Sequence, residues 1–417
     1  MTGCAGGAYE VARERYAEIG VSSDDAIKVL SNMRITLPCW QLDDVTGFEG
    51  FAGQGPGGGL AVTGRRPGRA RCFEEMTADL EAALSLIPGR HRVGLHAMYG
   101  SHARRGADRN EMEPGDFEDW MAWSRDRGVP LDFNPTLFAH PMALAGLTLS
   151  SPDASVRGFW IEHAKLCRMV AGALARNQGS PCTNNLWMPD GSREPPASPS
   201  ASRSLLMESL DEVFSERLEG VLDSLESKLF GIGLESFTAC SHELCIAYCV
   251  ERGVMPCLDM GHFHPTESVA DKVSALLPFV PGILVHVSRG VRWDSDHVPT
   301  ADDALRSLAR EAVRPGAIGR VHLALDFFDA SWNRVGAMAS GARSLQRALL
   351  SALLEPRALL ETLEGSHFEA SAAAEHAGEL PHGAVWERFL ETEGAPGWPE
   401  WSEAAALYEK RAAAERG

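Results

Sequence analysis

Met255-Pro256-Cys257-Leu258-Asp259-Met260-Gly261-His262-Phe263-His264 opens as a short apolar run and closes on side chains that bind metals or move protons. The next such run, Ile283-Leu284-Val285-His286-Val287, carries an imidazole near its end. Arg292-Trp293-Asp294-Ser295-Asp296-His297 follows shortly after. Between Leu258 and His297 the imidazoles are His262, His264, His286 and His297, and the carboxylates are Asp259, Glu267, Asp271, Asp294 and Asp296. Charged groups set in apolar sequence must find partners, and a divalent ion is one such partner. Oxygen and imidazole donors together suit Mg, Mn, Co or Zn.

Outward from this stretch the same rhythm repeats. Short apolar runs occur at Arg34–Trp40, Arg92–Ala97, Val129–Asn134, Asn184–Trp187, Ser227–Gly231, Met255–Asp259, Ile283–Val287 and Arg320–Asp326. Amphipathic segments of helical length lie between them, among them Phe159–Leu174, Leu205–Leu225 and Ala301–Ala312. Eight strands alternating with helices predict an α/β fold, a (β/α)8 TIM barrel with additional N- and C-terminal helices. An open doubly wound sheet would gather its ligand groups at one switch point. Here nearly every run ends in or near a reactive or binding side chain: Trp40, His96, Asn134, Trp187, Lys228, Asp259, His286 and Asp326. The carboxyl ends of barrel strands share one mouth, so a single centre would collect these groups.

The predicted organisation is N-terminal helices over 1–33, the catalytic barrel over 34–334, and a helical region over 335–417 for packing and oligomerisation. Phe48 to Arg71 is rich in Gly and Pro. No Gly-Lys-Ser/Thr closes its glycine run as a phosphate loop would, so a mobile loop over the site is expected. The Pro/Ser-rich stretch after Gly191 reads as a surface loop.

A net charge of −18 argues against nucleic acid, whose phosphates require clustered Lys and Arg. No basic region with a following apolar run opens the chain, and no apolar stretch reaches membrane-spanning length. The expectation is a cytoplasmic protein with no membrane partner. Nine scattered cysteines fit a reducing compartment. The group Cys240, Cys245, Cys249 and Cys257 matches no zinc spacing and reads as buried thiols.

Glu226 and Lys228 stand two apart and are expected on one face of a strand. Glu226, Asp259, His286 and Asp326 supply enough donors to hold one metal, and His262, Asp294 and Asp296 form an open set just past the strand ends. Each has an ordinary alternative. Asp259 would serve as a helix cap, His286 or His322 as a hydrogen-bonded core residue, and His264 with Glu267 as capping for a helix from Thr266. Seven donors at or past successive strand ends are more than capping requires. His264 and His297 are assigned supporting roles. Lys228 would place a positive charge by a developing oxyanion. Trp40, Phe133 and Trp187 would wall a sugar ring, and His96 would move a ring-hydroxyl proton. These roles suit aldose–ketose isomerisation. A metal-dependent hydrolase or a non-catalytic sugar-binding protein would use similar donors; the first would carry more Arg and Lys at the mouth, the second no open metal position.

The sequence resembles the bacterial L-rhamnose isomerases. The resemblance rests on Cys39-Trp40-Gln41 through Gly47-Phe48-Glu49, Leu131-Asp132-Phe133-Asn134-Pro135, Glu226-Ser227-Lys228-Leu229-Phe230-Gly231, Leu258–Glu267, His286-Val287-Ser288-Arg289, Val291–Val298 and Leu325–Ser331. It implies a cytoplasmic, tetrameric barrel enzyme interconverting L-rhamnose and L-rhamnulose by a metal-assisted 1,2-hydride shift on the open-chain sugar. It implies two divalent ions per subunit, Mn2+ first, with Zn2+, Co2+ or Mg2+ as alternatives. Glu226, Asp259, His286 and Asp326 would hold the ion that fixes the substrate oxygens; His262, Asp294 and Asp296 would hold the one that serves proton transfer. Asp326 and His96 would open the ring and Lys228 would contact substrate. Leu37-Pro38 departs from the Met-His pair frequent in the family, a change at the base of the first loop that bears on substrate fit.

Overall fold

The computed structural model describes residues 4–50, 62, 64–228, 235–264, 266–291 and 293–417, with side chains for all of these except 4–6 and 293–295. Half of the stretch expected to form a loop over the site, 51–61 and 63, lies outside the described residues.

Eight parallel strands close into a barrel. In chain order they are β1 Ile35–Pro38, β2 Arg92–His96, β3 Leu131–Asn134, β4 Cys182–Trp187, β5 Val221–Glu226, β6 Met255–Asp259, β7 Ile283–Val287 and β8 Val321–Leu325. Each pairs with its neighbours in sequence, and β8 returns to β1. The TIM-barrel expectation is therefore met. Strands buried on both faces read as nearly continuous apolar runs, and β3, β6 and β7 are buried at every position.

The fifth strand is a correction. The run Ser227–Gly231 was expected to form it, but the strand is Val221–Glu226 and ends where that run begins. Its polar residues Asp223 and Ser224 hide it from a search for apolar runs. Asp223 is held by Arg168 at 2.8 Å, so the charge is paired rather than exposed. Glu226 and Lys228 consequently do not share a strand.

The helices ring the barrel. Capping is local and legible: Ser22, Asp153, Ser198, Ser268, Asp302 and Asn333 each accept a backbone N–H at a helix start. The helix after β6 runs Val269–Leu276 and is capped by Ser268, not begun at Thr266. After β8, Arg334–Leu353 packs on β1 and on the helices Phe73–Ser85 and Asp303–Ala312, as a member of the outer ring. The boundary expected at residue 335 falls inside this helix. The last helix, Glu400–Arg416, is tied back by Arg416 and Tyr408, which both bond Asp79.

Inside the barrel, two levels differ in chemistry. At the amino-terminal end Arg92 grips Asp132 at 2.8 Å, and Thr36 donates to the same carboxylate at 2.6 Å. Above them Cys257, Leu284 and Ala324 form a small apolar cluster. The polar groups of the mouth stand at the strand ends beyond it. Gly94 on β2 leaves room for an indole: a Cβ there would lie 3.2 Å from Trp40.

Candidate active site

Three strand ends and one residue just past β8 bring Glu226, Asp259, His286 and Asp326 together, with one donor atom from each within 4.8 Å of the others. Register explains the convergence. Asp259 pairs directly with His286 across β6 and β7, and the Asp326 N–H reaches Val287 O at 3.2 Å, extending the β8 ladder. All four are withdrawn from solvent, Asp326 least so.

This cluster lacks a full complement of hydrogen bonds. His286 Nδ1 lies 2.9 Å from Asp326 Oδ2, 3.3 Å from Glu226 Oε2 and 3.6 Å from Asp259 Oδ2. Proximity is not alignment, and neither His286 Nδ1 nor Asp259 Oδ2 makes a well-directed hydrogen bond. Burial opposes charge on the His286 imidazole, but Cys257, Glu226 and Asp326 around it push its pKa well above the ordinary value. Burial pushes the Asp259 carboxyl up. Three carboxylates in so small a volume favour a cation at their centre. Oxygen donors with one imidazole and unpaired buried atoms fit a divalent metal ion.

A cavity opens over the cluster. It is lined by Trp40, His96, Asn134, Phe138, Asn185, Trp187, Glu226, His262, His286, Asp296, Asp326 and Phe328, with Val45 at the edge. Trp40, His96, Trp187, His262 and Asp296, all singled out from sequence, thus share it with three of the four cluster residues. Trp40 Nε1 donates to Asp326 Oδ1 at 3.0 Å. The Trp40 and His96 rings meet edge to face at 4.8 Å. His96 Nδ1 is 3.2 Å from Thr136 Oγ1, and burial lowers its pKa to about 3, so the ring is neutral at physiological pH.

The open set is partly visible. His262 Nδ1 lies 3.0 Å from Ser227 O, which places the proton on Nδ1 and a lone pair on Nε2. Asp296 is buried and takes a left-handed backbone, φ 37°, within the strand Trp293–His297. Asp294 lies on the same strand, and its side chain is outside the described residues. His264 is exposed and bonded to Thr266, and His297 lies 3.7 Å from Asp329.

A family model described as L-rhamnose isomerase (RhaA) matches residues 5–416. The chain belongs to the L-rhamnose isomerase family. The L-rhamnose isomerase of Rhodopirellula baltica is 48% identical over 413 residues, 98% of this chain and 96% of its own. That of Bacteroides thetaiotaomicron is 46% identical over 411 residues, 98% of each chain. Among solved structures, an L-ribulose 3-epimerase covers 80% of this chain and 99% of its own, with a TM-score of 0.46 and 14% identity.

Two residues expected to face the sugar in an L-rhamnose isomerase stand elsewhere. Phe133 alternates with Asp132 and Asn134 along β3, so it points out of the barrel and packs edge to face on Phe117 at 5.0 Å. Its place at the cavity is taken by Phe138, which meets the rings of His96 at 5.6 Å and Trp187 at 5.7 Å. Lys228 does not line the cavity. Its buried ammonium is 3.0 Å from Pro189 O, 3.3 Å from Glu235 and 5.5 Å from the Trp187 ring centroid. Its nearest neighbour among the cavity residues is Trp187. Asn185 was missed by sequence reading; its amide donates to Glu226 Oε2 at 2.6 Å. The signal was present, because Asn185 stands two residues before Trp187 and shares its face of β4.

Proposed function

We propose that this cavity interconverts L-rhamnose and L-rhamnulose with two divalent ions per subunit, Mn2+ the first candidate, by a 1,2-hydride shift on the open-chain sugar. The chain is an aldose–ketose isomerase by family. The observation that carries the site assignment is the Glu226, Asp259, His286 and Asp326 cluster beneath an aromatic-walled cavity. His262, Asp294 and Asp296 would hold the second ion. When bound, the ions hold the substrate oxygens and polarise the carbonyl.

The chain's own residues supply the rest. His96, neutral and anchored through Thr136, faces the ring oxygen and with Asp326 moves the anomeric proton to open the ring. Trp40 keeps Asp326 in place during that step. Trp40, Phe138 and Trp187 exclude water from the reacting carbons. Hydrogen then passes with its electron pair between C2 and C1 of the sugar while a proton crosses from O2 to O1. Exposed apolar side chains at Phe368, Trp398 and Leu407 support packing of the C-terminal helices against other subunits of a homotetramer. A cytoplasmic location accords with the odd number and scattered spacing of the cysteines.

The test is to load the purified protein with Mn2+, add L-rhamnose and follow ketose formation. The same reaction in deuterated water separates the routes. Carbon-bound deuterium in the product would point to an enediol with a carboxylate base and overturn the hydride shift.

A further inference from the structure

Three residues close a ring of hydrogen bonds at the edge of the site. Ser227 follows β5, His242 opens the helix His242–Arg252, and His262 lies on the turn after β6. The Ser227 hydroxyl lies 2.5 Å from His242 Nδ1. His242 Nε2 lies 3.0 Å from His262 O. His262 Nδ1 lies 3.0 Å from Ser227 O. A carbonyl oxygen only accepts, so both imidazole nitrogens facing one must donate. In the neutral ring His242 Nδ1 then accepts, and the Ser227 hydroxyl donates to it. The direction of every bond is fixed: Ser227 to His242, His242 to His262, His262 back to Ser227.

The ring is held rigidly. Ser227 and His242 are buried. The His242 imidazole stacks on Phe263 with centroids 3.8 Å apart and planes 6° from parallel. Lys272 covers that phenyl ring at 4.6 Å. His242 itself does not line the cavity.

We propose that His242 is a positioning residue that fixes the main chain of His262 for the second ion. His242 holds the His262 carbonyl from one side while Ser227 fixes its ring nitrogen from the other, so His262 Nε2 is aimed before any ion arrives. Partners of this kind behind a ligand histidine contribute about 10- to 100-fold in metal affinity. The proposal rests on the reading of His262 as a ligand.

The experiment strips the full-length protein with a chelator and titrates it with Mn2+, following the electron paramagnetic resonance signal of the free ion. His242→Asn keeps an acceptor near Ser227 but cannot reach His262 O; it is expected to bind one ion as wild type does and the second about 10- to 100-fold more weakly. His242→Gln carries an amide N–H near the place of Nε2 and is expected to recover most of that loss. Ser227→Ala keeps the backbone carbonyl and is expected to weaken the second ion less, which gives a reading even where His242→Asn is insoluble. Wild-type affinity for both ions in a folded His242→Asn, or equal weakening of both, would overturn the positioning role and leave a purely structural staple. His262→Ala separates the two levels: if it binds the second ion normally, the ligand reading itself is wrong; if it loses that ion while His242→Asn does not, only the positioning role is wrong.

Discussion

The Trp40 indole donates to the Asp326 carboxylate at 3.0 Å, joining the end of the first barrel strand to the end of the last. Beside it Gln41 and Asp329 bond reciprocally, at 3.2 Å through the Gln41 amide and 2.8 Å through the Asp329 N–H. The seam of the barrel is therefore closed at its active end by side chains as well as by the β1–β8 ladder. Trp40→Phe keeps an apolar wall and removes the bond. We expect Mn2+ affinity to fall by about tenfold, the worth of one hydrogen bond to a charged group, with kcat reduced and little change in melting temperature. Calorimetric Mn2+ titration measures it; unchanged affinity and kcat would show the bond to be incidental.

Asp296→Asn tests the open set of donors. Asparagine tolerates the left-handed φ of this position, so the backbone is not strained by the change. The variant should fold, retain the first ion, lose the second and lose turnover. Full activity with two ions bound would remove Asp296 from the site.

Chelation should destabilise the protein as well as inactivate it, because the clustered carboxylates repel once the cation is gone. Binding to the folded state alone adds about 2.7 kcal/mol when the free ion is 100 times its Kd. The melting temperature should rise with Mn2+ concentration and fall with EDTA. Glu226→Gln should flatten that dependence. A melting temperature indifferent to Mn2+ in the wild type would count against the metal centre.

Glu49 predicts part of the acid limb of stability. Burial works against its charge, but two bonds from Arg109 and one from His102 prevail and hold its pKa at about 2, below the ordinary 4.5. The pairing therefore contributes fully above pH 4.5 and is lost as pH falls toward about 2. Its size is on the order of 3 kcal/mol. Glu49→Gln should melt well below wild type at pH 7, and the gap should narrow from pH 4.5 downward. A gap constant from pH 7 to 3 would contradict the assignment.

Lys228→Met addresses a residue whose role the fold changed. Its ammonium ties the segment after β5 to Pro189 and Glu235 and lies against Trp187. We expect two bound ions as in wild type, a stability loss of about 1–3 kcal/mol, and a raised KM from a loosened Trp187 wall. A fall in kcat alone, with KM and stability unchanged, would instead place Lys228 at the reacting atoms.

The sequence by itself determined the barrel and named the four donors, Glu226, Asp259, His286 and Asp326, that the fold brings together. Strand after strand ended in a donor, and hydrophobic period and strand-end polarity are local properties that a linear reading can see. Even the errors were local in origin: Asp223 and Ser224 disguised β5 because the partner of Asp223, Arg168, is 55 residues away. Only the tertiary structure decided which face each side chain took and what stood behind it. Strand parity turned Phe133 outward and brought Asn185 in. Placement of one helix start against two strand ends made Ser227, His242 and His262 a closed ring. Such contacts join residues distant in sequence, and their hydrogen bonds depend on angles that exist only once the barrel has closed.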